Sequence, residues 1–277
     1  MDTTRPRSMN SIALALIPLA MAINIAIGTL ATGTPIYLDS VGTVLVGALL
    51  GPWYGLLTGI LSNVVWTLVF GNQIAIWFTP VAAAIGFIAG VAGRSHLFYR
   101  ASPKWLSALV GAAFLFALTL FVLMFIARTF DNQGNAVFPT MQTLFAENGL
   151  IFVLALVAGA VAGYAVLQQA GYIGTIGLAT GVLAALISAP ISAYLFGGVT
   201  GAGTDLLVAA FQASGASIIQ SVFAQGVVSD PFDKLTSFML VWLAIQSLPR
   251  RLLARFPYGR SQPPREAAYT EAASSRP

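Results

Sequence analysis

From Ser11 to Gly93 the chain carries a single charged side chain, Asp39. No stretch of that length and poverty of charge can form the wetted surface of a soluble domain. Charged residues make up 8% of the 277, against about a quarter in soluble domains. Several apolar runs reach the roughly 18 residues needed to cross a hydrocarbon core. Strands of a membrane barrel would alternate over ~10 residues, and no such alternation is visible. The expected fold is all-α: a polytopic membrane helix bundle of about six full spans plus a short or re-entrant outer hairpin. Residues 1–10 read as a cytoplasmic N-terminal arm, 11–250 as the bundle and 251–277 as a polar cytoplasmic tail.

The spans follow from the breaks. Expected helices cover Met9–Leu30, Tyr37–Leu50, Trp53–Phe70, Ile74–Gly93, Trp105–Ala127, Gly149–Leu167 and Ile173–Phe196. A semi-polar segment, Leu206–Val228, holds Gln212, Gln220 and Gln225 and reads as a re-entrant or interfacial hairpin on the outer side, which keeps Arg250, Arg251 and Arg255 inside; the alternative is that 37–50 does not span. "SDPFDK" reads as a turn whose acids cap a last helix, Leu235–Leu248. The apolar core of the first run is longer than the about 7–15 residues of a signal peptide, so it reads as a span.

Charge sets the orientation. Arg5, Arg7 and the three bases of "RSHLFYRASPK" place both termini and that loop in the cytoplasm of a cell whose inner (plasma) membrane holds the protein. The net charge of +4 is no nucleic-acid signal, because the bases lie at the ends and in one loop. The absence of cysteine excludes thiolate metal sites and cysteine nucleophiles. The one histidine, His96, falls in the basic inner loop with no partner histidine or cysteine, on the wrong face for a serine–histidine–acid set. No H-E-x-x-H occurs. Nothing here argues for an enzyme, a metal or a cofactor.

Glycines at Gly47, Gly51, Gly55 and Gly59, and the pairs Gly86/Gly90 and Gly159/Gly163, are spaced by four. That spacing lets helix backbones approach closely in lipid. In the first helix Ala22-x-x-x-Ala26 reads either as internal packing or as a flat docking face for another subunit. "FGGVTGAGTD" lacks the Lys-Ser/Thr ending of a phosphate loop and reads as an outer lid. Asp39 near a helix start reads as a cap or as a carboxylate facing a cavity. Candidate ligand contacts on the outer half are Tyr37, Asp39, Asn63, Trp66, Asn72, Trp77, Asn148 and Asp205, with Gln73, Glu147 and Thr204 beside them. Trp66 and Trp77 can equally be interfacial belt residues.

The stretch "PIYLDSVGTVLVGALLGPWYGLLTGILSNVVW" resembles the substrate-binding S components of energy-coupling factor vitamin transporters, over about residues 10–95. "DPFDK" before a last helix and a basic tail are similar as well. The resemblance implies a bundle of about six helices that captures a vitamin-like small molecule from outside. It implies docking, through Ala22 and Ala26, on a transmembrane coupling subunit driven by two cytoplasmic ATPases. It also implies that the loop Ala31–Leu38, closed by Asp39, covers the substrate. The rival reading is a ligand-sensing membrane domain or scaffold acting on a signalling partner. A proton-coupled carrier would show buried carboxylates at midplane and inverted repeats, and the sequence reading finds neither.

Overall fold

The computed structural model describes residues 11–32, 34, 36–132, 136–167, 170–213 and 215–259. Arg5, Arg7 and residues 260–277 of the expected tail lie outside them. The protein is a helical membrane bundle. Among the described residues, five helices are long and apolar enough to cross a membrane.

Helix α1 is Ser11–Leu30 and α2 is the short Val41–Leu50. A turn at Gly51, in a backbone region open to glycine (φ 97°), leads into α3, Pro52–Phe70, with Pro52 at its first turn. Proline there forfeits no hydrogen bond, since the first N–H groups of a helix are unpaired anyway. Gly71, left-handed, ends α3. A 3₁₀ turn, Ala75–Phe78, precedes α4, Thr79–Arg94. Then come α5, Lys104–Ile126, a two-residue-per-strand hairpin of β1, Thr129–Phe130, and β2, Ala136–Val137, and α6, Met141–Ala165. Helix α7 is Gly171–Phe196, α8 is Asp205–Ala213, α9 is Ile218–Ser247 and α10 is Arg250–Leu253.

Two expectations change. The first concerns "SDPFDK", which is no turn: Ser229–Lys234 lies inside the 30-residue α9, and Pro231 sits in its interior. Proline is tolerated there because a bundle can supply other partners for the freed carbonyl. The start of α9 is instead marked by a capping box, Ser217 with Gln220. The expected hairpin is therefore α8, a short turn, and the first half of α9. Second, the chain beyond residue 250 begins packed: Leu253 and Phe256 are buried in the main core, and the Tyr258 N–H donates to the Leu49 carbonyl.

The glycine spacing does what the sequence asks of it. A Cβ on Gly55 would stand 2.3 Å from the Gly86 carbonyl oxygen, and one on Gly86 2.1 Å from the Gly55 oxygen. Helices α3 and α4 thus meet backbone to backbone. Gly159 and Gly163 on α6 repeat this against Gly111 and Ser107 of α5. Ala22 and Ala26, by contrast, are exposed, so internal packing is not their role.

The bundle has two chemically different ends. Gln246 donates to the Phe98 carbonyl and Tyr258 meets Leu49, so the loop 95–103, the α2–α3 turn and α10 share one end. Arg94, Arg100, Lys104, Arg250, Arg251 and Arg255 belong to it. At the other end Tyr37 meets Thr204 and Phe78 stacks on Phe196. Among the described residues, Asp39, Asp131, Glu147 and Asp205 lie toward that second end.

Candidate functional site

A cavity of about 210 Å³ opens at the second end, between α1, α2, α3, α4, α7 and α9. Its wall is mixed. Trp66, Phe78, Ile74 and Ile85 are apolar or aromatic, and Asn63, Ser62, Thr43, Ser188, Gln225, Asp39, Asp230 and Lys234 are polar. Aromatic walls with a few placed polar groups are the usual make-up of a small-molecule pocket.

Each wall has a local reason. Asn63 and Trp66, three residues apart on α3, share a face. Gly28 on α1 makes room for the Trp66 ring, since a Cβ at 28 would lie 2.4 Å from ring atom Cη2. Deeper, Asn24 is buried and ties three helices together. Its amide donates to Thr43 (2.7 Å) and Ser62 (3.0 Å), and its oxygen accepts from the Gly42 N–H (2.7 Å). A satisfied amide of this kind is one of the few polar links that lipid-embedded helices use.

The described part of the roof is residues 31–32, 34 and 36–40. Leu38 adopts a left-handed backbone (φ 49°), uncommon for a branched residue. Asp233 holds that corner: its Oδ1 accepts the Tyr37 N–H at 2.9 Å and the Leu38 N–H at 2.7 Å. The Tyr37 hydroxyl lies 2.6 Å from Thr204 Oγ1, so the roof also touches the loop after α7. That loop is shaped by Asp205, which accepts from the Thr200 N–H and hydroxyl and from the Gly201 N–H.

Lys234 sits at the centre of the charges. Its ammonium is 2.5 Å from Asp233 Oδ2 and 3.4 Å from Asp39 Oδ1, and it donates to Ser40 Oγ. Asp39 therefore pairs with a lysine and does not cap α2, whose preceding residue, Ser40, makes no side-chain cap. Asp230 is buried and takes hydrogen bonds from Ser188 and Ser229, both at 3.2 Å. Gln225 donates in turn to Ser229.

Of the expected contacts, Tyr37, Asp39, Asn63, Trp66 and Asn72 line the cavity. Trp77 does not; it is 52% exposed, as a belt residue would be. Asn148 is at a kink in α6 and donates to the Leu144 carbonyl, away from the cavity. Asp205 acts one step back, by fixing residues 200–201. Gln73 and Glu147 are exposed.

The residues that sequence reading missed are on α7 and α9: Ser188, Gln225, Asp230 and Lys234. Their signal was present. Ser221, Gln225, Ser229, Asp233 and Ser237 recur every fourth residue, and all are buried. That is one face of a helix, visible only if Asp-Pro is not taken as a stop. Buried carboxylates in a membrane-length helix, stated as absent from the sequence, are therefore present at Asp230 and Asp233. No protein family, curated protein or solved structure matches the chain.

Proposed function

We propose that the protein is a substrate-capture subunit of an energy-coupling factor type importer, and that it hydrolyses nothing itself. The observation that carries the reading is the roofed, polar-walled cavity between α1–α4, α7 and α9. Its roof, residues 31–32, 34 and 36–40, overlaps the loop Ala31–Leu38, closed by Asp39, that the resemblance implies as a substrate cover. The basic end is assigned to the cytoplasm, so the cavity opens outward across the plasma membrane, with both termini inside. The ligand is a vitamin-like small molecule. Ala22 and Ala26, exposed on α1, supply the face for a transmembrane coupling subunit that two cytoplasmic ATPases drive.

Affinity purification from native membranes tests this. The expected result is co-purification of a membrane subunit and two ATPases, and a small-molecule adduct in the native mass spectrum of the released chain. Ala22→Trp with Ala26→Trp should abolish the first and keep the second. A histidine kinase or regulator in place of the ATPases would replace transport with sensing. The buried Asp230 and Asp233 favour one further reading, an ion-coupled carrier. Substrate uptake by the isolated chain in liposomes that collapses with the proton gradient would establish that reading.

A further inference from the structure

The charges around the cavity do not balance. Among the described residues Lys234 is the only cation in its wall, and it is already held by two carboxylates, Asp233 at 2.5 Å and Asp39 at 3.4 Å. Asp230 belongs to the same wall and is 5% exposed. It receives only two hydroxyl hydrogens, from Ser188 and Ser229. One ammonium thus faces Asp39, Asp230 and Asp233. A buried carboxylate that shares its one counter-charge with two others is costly to keep ionised, and a ligand that brings a further cation relieves that cost on binding.

We propose that the cavity selects an organic cation, a ring-bearing molecule with a protonated or quaternary nitrogen, and that Asp230 is its counter-ion. The proposal rests on the capture reading and narrows its substrate class. Three features point the same way. An anion would meet Asp39 and Asp230 across the wall. A bare metal ion would leave most of the 210 Å³ and the aromatic wall without a counterpart, and among the described residues no three His, Asp or Glu side chains cluster as a metal site. Trp66, Phe78 and Tyr37 line the same space, and aromatic faces attract cations. The ring of the ligand packs along Trp66 and Phe78 while its nitrogen points to Asp230 on the α9 side.

Three probes of one shape separate the charges: benzylamine, benzyl alcohol and benzoate. The purified full chain in detergent is titrated with each at neutral pH, at the millimolar concentrations a ligand this small requires. Tryptophan fluorescence and the melting temperature report binding. The expected order is benzylamine first, by about tenfold or more over both others. Asp230→Asn should bring the benzylamine preference close to unity, and Asp230→Glu should restore it. Benzoate or benzyl alcohol binding as well as benzylamine overturns the proposal while leaving capture standing. Retention of the preference in Asp230→Asn overturns the role of Asp230. Failure of wild-type protein to bind benzylamine also overturns the cation class. Capture itself then stands or falls on the adduct and the co-purified ATPases. The wild-type ranking needs no variant to fold.

Discussion

Asp39 and Asp233 lie on the same ammonium but in different surroundings. The Asp233 side chain is fully buried and Asp39 keeps 35% of its side chain exposed. Removing Asp233 strips Lys234 of its closest partner and frees two backbone N–H groups. Breaking a buried pair in this way costs about 3–5 kcal/mol. Asp233→Ala should therefore lower the melting temperature in detergent sharply. Asp39→Ala should change stability by less than ~1 kcal/mol and show itself as weaker ligand binding, read by native mass spectrometry. Equal melting shifts for the two variants would contradict this ranking. The sequence put Asp39 at the right place, before α2 and beside the cavity, because a lone charge in an apolar stretch has few places to go. It did not disclose Lys234, because the partner is 195 residues away and distance in sequence carries no pairing signal.

Helices divide into those whose identity is local and those whose identity is tertiary. Helices α3, α4, α5 and α7 were legible to within a few residues, since each is an apolar run bounded by glycine, proline or charge. Helix α9 was not. Its polar face and internal Pro231 look like a loop when read residue by residue. They are stable as a helix because α7 packs against them: a Cβ on Gly181 would lie 2.3 Å from the Pro231 Cα. Helix α6 also starts earlier than expected, at Met141, where the Thr140 hydroxyl caps it. Close packing at glycine gives a sharp test. Gly86→Val would drive methyl groups into the Gly55 backbone, which has no flexible side chain to yield. The overpacking should cost about 1–3 kcal/mol or more, measured as a loss of melting temperature. Gly149→Val on α6, where a Cβ meets nothing within 4 Å, should have far less effect.

At the scale of the molecule, the charges are sorted. Of the described bases, Arg94, Arg100, Lys104, Arg250, Arg251 and Arg255 gather at the end holding the 95–103 loop and α10, while Arg128 follows the far end of α5 and Lys234 lies at the cavity; the described acids lie toward or within the opposite half. Because the chain has no cysteine, single cysteines report sidedness against a silent background. Asp39→Cys should react with an impermeant maleimide added to intact cells, and Arg100→Cys only after the membrane is opened. The reverse pattern would turn the cavity toward the cytoplasm and remove uptake from consideration. The sorting also has an electrical consequence. A voltage of 100 mV, negative on the basic side, favours each elementary charge left where it is by roughly 2.3 kcal/mol over its transfer across. The energised membrane therefore acts as a standing field that polarises this molecule into one orientation, and that same field would draw a positively charged passenger inward.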